Sequence, residues 1–224
     1  MRTIIVLSLT LLIACASVYA RPIEAKRLHD AEMVINQTME APDRGLPREL
    51  LEKAECVGVF PGVKKGAFVV GGEYGHGVFT CREKNGAMGA PAFFTIGGGS
   101  VGWQFGGESA DLVLLVMNQG GLNHLLKDRF TLGGEATAVA GPVGRTAKAA
   151  TDAQLHAEIL SWSRSRGAFL GASLTGTVIA PDRKANERLY GRKSAKEILV
   201  GGAVPVPGDA QSFVTTLSRY SRPD

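Results

Sequence analysis

The 224 residues hold only three cysteines and four histidines, and neither Cys-x-x-Cys nor His-Glu-x-x-His groups them. A structural zinc site or a zinc hydrolase therefore has no foundation in this chain. His29, His76, His124 and His156 stand singly, and only His124 with Asp128 has the i, i+4 spacing of two ligands on one helix face. Two ligands do not make a site, so no metal and no cofactor are expected. Paired carboxylates in a setting that would tune one of them for general acid–base work are also missing. Beyond residue 20 no apolar run approaches the ~18 residues that a membrane-spanning helix needs. The formal net charge of +4 favours anionic surfaces in a general way but is too dilute for a nucleic-acid partner.

What is present is a chain with 45% hydrophobic and 21% charged residues, the length and composition of one folded domain or at most two small ones. Glycine is in excess at 29 residues without an every-third-residue period, which excludes a collagen-like rod and assigns the glycines to turns, bulges and close backbone contacts. At the N-terminus Arg2 precedes an apolar run from Ile4 to Ala14 that gives way to small residues, the pattern of a secretory signal. Cleavage after Ala20 makes residues 1–20 the signal and 21–224 a single domain. Leu12-Ile13-Ala14-Cys15 offers a rival, a loose lipobox in which Cys15 becomes a lipidated first residue. Either way the expectation is an exported protein, periplasmic or secreted, with a lipid anchor through Cys15 in the second case.

Export makes Cys56 and Cys81 informative, because the compartment beyond the inner membrane is oxidising. Their flanks read as strands that can be neighbours, so the two either pair or serve as buried small hydrophobes. Helical spacing marks residues 24–40, with Leu28, Ala31, Val34 or Ile35 and Met39 on one side, and a short helix after Pro47. From Val57 onward glycine-separated apolar runs predict strands at 57–60, 67–72, 76–80, 92–96, 101–105, 112–117, 135–140, 158–163, 168–174 and 177–180, with a short helix at Leu122 to Lys127. Ser194-Ala195-Lys196-Glu197 is a capping box, and Asp209 is placed to cap a last helix holding Phe213, Val214 and Leu217. The fold class expected is α+β: a curved, glycine-rich antiparallel sheet, barrel- or sandwich-like, with flanking N- and C-terminal helices.

Gly97-Gly98-Gly99-Ser100-Val101-Gly102 satisfies both the dinucleotide fingerprint and, from Gly98, the nucleophile elbow of serine hydrolases. Both patterns need a helix next, and Trp103-Gln104-Phe105 reads as strand. A hydrolase using Ser100 is kept as a minor alternative. Lys65-Gly66-Ala67-Phe68 and Arg166-Gly167-Ala168-Phe169 echo one another, as if each opened a strand at one rim of the sheet. That would gather Lys64, Lys65, Arg145, Arg164 and Arg166. A second basic cluster, Arg183, Lys184, Arg188, Arg192, Lys193 and Lys196, faces only Asp182 and Glu187 within its own span.

The ordered set Val59-Phe60-Pro61, Lys65-Gly66-Ala67-Phe68, Gly71-Gly72, Gly75-x-Gly77-Val78, Gly102-x-Gln104-x-Gly106, Asp111-Leu112-Val113, Ala140 to Arg145, Ser161 to Gly167 and Asn186 to Gly191 resembles the SYLF lipid-binding domain family over about residues 30–205. Ala87-Met88-Gly89-Ala90-Pro91 departs from it, standing where many members carry a Trp-Ser pair. The resemblance implies a non-enzymatic lipid-binding module. Eukaryotic relatives bind phosphoinositides, partly through an amphipathic N-terminal helix, and some yeast relatives bind actin filaments. With an export signal of bacterial type, the part that transfers is recognition of an anionic lipid or membrane surface, and the echo offers Lys64, Lys65, Arg145, Arg164 and Arg166 as its headgroup contacts. Binding of an envelope protein is the alternative.

Overall fold

The computed structural model describes residues 22–41, 45–67, 71–100, 108–142, 156–165, 168–171, 174–202 and 204–221. Four long strands, β1 (Cys56–Ala67), β2 (Gly71–Cys81), β3 (Ala92–Ser100) and β4 (Glu108–Val116), form the middle of one sheet. Shorter ones extend it: β5 (Phe130–Thr131), β6 (Ala138–Ala140), β7 (Ile159–Ser165), β8 (Ala168–Gly171) and β9 (Val178–Pro181). The order is β5-β9-β3-β2-β1-β4-β7-β6, with β8 beside β7, and every pairing except β6 with β7 is antiparallel. The curled sheet carries helices α1 (Pro22–Met39), α2 (Arg48–Lys53), α3 (Gln119–Leu125), α4 (Arg183–Tyr190), α5 (Ala195–Val200) and α6 (Gln211–Tyr220), giving the α+β class with helices at both ends.

Both faces of the sheet are covered, which is why Leu112 to Val116 is apolar throughout instead of alternating. Val113 and Leu115 face a cluster with Val57, Val59, Val78 and Trp162 that packs against α1, α2, α4 and α6. Leu112, Leu114 and Val116 face the opposite cluster, where Phe60, Phe79 and Phe94 meet Leu125 of α3 and Ile198 and Leu199 of α5. Space for the rings comes from missing side chains: a Cβ at Gly58 would lie 2.3 Å from the Phe79 ring. Phe79 then stacks edge-on to Phe60 and Phe94 at centroid distances of 5.7 and 5.0 Å. Cys56 and Cys81 are direct partners at the start of β1 and the end of β2, and their sulfurs form a disulfide.

One extra residue between Phe60 and Val63 makes a bulge in β1, which explains how Pro61 sits within a strand. Gly62 adopts φ +58° there and its N–H donates to Asp111 Oδ1 at 2.9 Å. The bulge returns Val63 to the face of Phe60 and leaves Lys64 on the α1 side with Tyr74 and His76.

Several sequence expectations are corrected. The strand expected at 67–72 is divided between two strands, because Ala67 ends β1 and pairs with Gly71 at the start of β2, while residues 68–70 lie outside the described residues. Lys65-Gly66 accordingly closes β1 instead of opening a strand. The strand of 135–140 shortens to β6, and β5 is too short for periodicity to mark. The helix expected from Leu122 begins at Gln119, because Asn118 caps it by accepting from Gly121 N–H. Asp209 lies in a 3-10 turn, Gly208–Ala210, and makes no side-chain cap for α6. The strand expected at 101–105 lies outside the described residues.

Candidate functional site

The second basic cluster occupies the corner made by α4 and α5. Asp182 caps α4 by accepting from Ala185 N–H, and Asn186 clips the helix to β3 by bonding both the N–H and the carbonyl of Phe93. Ala185, Asn186 and Leu189 therefore face inward, and Arg183, Lys184, Glu187 and Arg188 face out. Gly191, at φ +71°, turns the chain into α5, where Ser194 and Glu197 form the capping box read from the sequence. Its hydrogen bonds with Ser194 hold the Glu197 carboxyl below its ordinary range.

Two of the six cations are engaged. Arg183 meets Asp128 at 2.7 Å with both side chains exposed, and Arg188 grips Glu24, whose side chain is only 2% accessible. Lys184, Arg192, Lys193 and Lys196 are exposed and have no ion pair among the described residues. A shallow cleft of about 350 Å³ lies between Arg183, Asn186, Arg192, Lys193 and Ser194.

The other expected patch is built differently. β1, β4 and β7 do bring Lys64, Lys65 and Arg164 to one end of the sheet, since Lys65 pairs with Glu108 and Arg164 with Asp111 on either side of β4. Counter-charges come with them. Arg164 donates from Nε and Nη2 to Asp111 Oδ2 at 2.9 and 2.6 Å, and the register sets Lys65 between Glu73 and Glu108. Lys64 is exposed. Arg145, Arg166 and the Lys65 side chain lie outside the described residues, as do Cys15 and residues 1–20.

A third arrangement was not legible in the sequence. Arg27 and Asp30 of α1 face Lys64, Tyr74 and His76 across a cleft of about 340 Å³. Arg27 donates to Asp182 Oδ2 at 2.8 Å, His76 Nδ1 lies 3.5 Å from the same oxygen, and Tyr74 Oη is 2.8 Å from His76 Nε2. Burial, followed by the Arg27 charge, holds His76 below its ordinary pKa against the pull of Asp182. Asp182 is also burdened by burial, but the Ala185 N–H and Arg27 outweigh it and keep its carboxyl below the usual range. These residues are scattered along the chain, and no local spacing announces them.

α1 buries the stripe Leu28, Ala31, Val34 and Ile35, so docked on the sheet it offers a membrane only Ile23 and Met33 as large exposed apolar side chains. His124 is 3.1 Å from Lys127 and 3.9 Å from Glu158, and Asp128 goes to Arg183, so the i, i+4 pair is not a shared ligand set. Ser100 is the last residue of β3, paired with Gly71.

Comparison with known proteins settles the family. Residues 97–220 match the model of the Ysc84 family, described as Las17-binding protein actin regulator. LAS seventeen-binding protein 3 of Saccharomyces cerevisiae is 34% identical over 188 residues, 82% of this chain and 40% of that protein. The chain belongs to the Ysc84, or SYLF, family. Protein YSC84 of Saccharomyces cerevisiae is 31% identical over 185 residues, covering 81% of this chain and 39% of its own length. SH3 domain-containing YSC84-like protein 1 of Homo sapiens is 27% identical over 181 residues, covering 80% and 53%. The chain thus spans between two fifths and just over half of these relatives. The family description and the name of LAS seventeen-binding protein 3 speak of binding and regulation. In the segment Ala87 to Pro91 of this SYLF chain, Met88 is a core side chain at 3% exposure.

Proposed function

We propose that this SYLF domain is an exported, non-enzymatic module that binds the anionic surface of a membrane through the α4–α5 corner. The observation that carries the reading is the set Lys184, Arg192, Lys193 and Lys196, four exposed cations with no ion pair among the described residues. Each contributes about 1 kcal/mol near an anionic bilayer, so the set supplies about 4 kcal/mol, enough for weak, reversible contact and not for permanent anchoring. Firmer attachment would draw on a second element, such as a lipidated Cys15. The hairpin end, where Arg164 is already neutralised by Asp111, is secondary.

Co-sedimentation with vesicles tests the reading. Binding to phosphatidylglycerol-containing vesicles should rise with the anionic fraction and fall as salt rises from 50 to 300 mM, with no binding to pure phosphatidylcholine. Equal binding to neutral and anionic vesicles, or none at low salt, would sink it. A protein-binding role is the second reading, favoured by the name of the yeast relative LAS seventeen-binding protein 3 and by Val200, 42% exposed beside a groove of about 700 Å³ between α3 and α5. An envelope protein retained by the purified chain, with no vesicle binding, would favour it.

A further inference from the structure

Among the described residues, two ion pairs tie the N-terminal half of α1 to α4: Glu24 with Arg188, and Arg27 with Asp182. The second is constrained on every side. Asp182 Oδ1 accepts from Ala185 N–H as the helix cap, which restricts the carboxylate from turning, and Oδ2 accepts from Arg27. His76 of β2 points Nδ1 at that same Oδ2 from 3.5 Å, too far for a good hydrogen bond. Nδ1 is the one buried side-chain nitrogen or oxygen among the described residues that lacks a hydrogen-bond partner. Its other nitrogen, Nε2, meets the Tyr74 phenol at 2.8 Å. With Oη–H donating, the neutral ring carries its single proton on Nδ1.

We propose that this junction is an acid-sensitive clasp, in which protonation of His76 loosens the N-terminal half of α1 from the head of α4. The titratable and charged groups around the ring are Arg27 and Asp30 from α1, Lys64 from β1, Tyr74 from β2 and Asp182 at the head of α4. Thr95, its β3 partner, is uncharged. Imidazolium has a proton on both nitrogens, so Nε2 can no longer accept from Tyr74. It also places a second cation beside Arg27 on one carboxylate oxygen, in a site that burial makes unfavourable for charge.

The proton therefore prefers the undocked state, where the ring is in water. The shift fits this direction, since His76 lies below its ordinary value of 6.5 in the docked form. Docking is strongest above pH 6.5 and weakens as pH falls through that value, by at most about tenfold per pH unit for one proton. Asp182, held low, keeps its charge through this window.

Hydrogen exchange on the full chain with its disulfide intact tests the clasp. After correction for intrinsic exchange, protection of residues 24–31 should fall severalfold between pH 7.5 and 5.5, while the amides of β1 and β4 hold. In His76→Gln the dependence should vanish. Protection of 24–31 that ignores pH, or that changes identically in His76→Gln, would overturn the proposal. Should that variant fail to fold, an NMR titration of His76 in the unaltered chain decides: a pKa clearly below 6.5 supports the clasp, and one at or above 6.5 removes it.

Discussion

The hairpin end of the sheet and the α4–α5 corner are both rich in lysine and arginine, but among the described residues the corner keeps more cations without an ion pair. At the hairpin end, Asp111 reaches Arg164 from the neighbouring strand, and the register places Lys65 opposite Glu73 and Glu108. At the corner, Arg188 is taken by Glu24 and Arg183 by Asp128, and four cations remain. The lesson is that counting cations along a chain does not locate a positive surface. What matters is which strands the fold sets beside them.

The largest expected effect falls on the corner. Replacing Lys184, Arg192, Lys193 and Lys196 together with Gln should weaken binding to anionic vesicles by about 4 kcal/mol, roughly a thousandfold at low salt. A folded quadruple variant that binds as before would break the comparison. Next comes a change that touches neither surface: removing the Cys56–Cys81 bond as a double Ala variant should cost about 3 kcal/mol of stability, lowering the melting temperature, with vesicle binding at room temperature unchanged.

Asp111→Asn should cost about 1–2 kcal/mol, through its charge-assisted bonds to Arg164 and its bond to the Gly62 N–H. It also removes one negative charge at the hairpin end, so vesicle binding should strengthen by about 1 kcal/mol, roughly fivefold. Weaker binding in this variant would show that compensation is not what silences that end. Smallest is Ser194→Ala, which removes the α5 cap and should lower unfolding stability by about 1 kcal/mol while leaving the four cations on the surface.

Much of the architecture was legible. The strands 57–60, 76–80, 92–96 and 112–117 follow from apolar runs between glycines, and each lies in a strand of the sheet or runs to within one residue of its end. The expectation of one strand over 67–72 joined residues of β1 and β2, because Gly71-Gly72 follows an apolar stretch and periodicity carries no mark for where one strand gives way to the next. At the surface, the cationic corner could be suspected from Asp182 and Glu187 being the only acids within residues 182–196, whereas the neutralisation of Arg164 could not.

The sequence by itself determined the secondary elements of the core, the Ser194–Glu197 cap and the cationic character of residues 183–196, because helix caps and helical charge neighbours lie within four residues along the chain. Tertiary structure alone decided that Asp111 meets Arg164 across 53 residues and that Arg27 meets Asp182 across 155. It also decided that the apolar stripe of α1 lies against the sheet and that His76 sits beneath the head of α4. Antiparallel pairing and helix docking join distant parts of the chain, and the electrostatics of such contacts follow from register and burial, which no local pattern encodes.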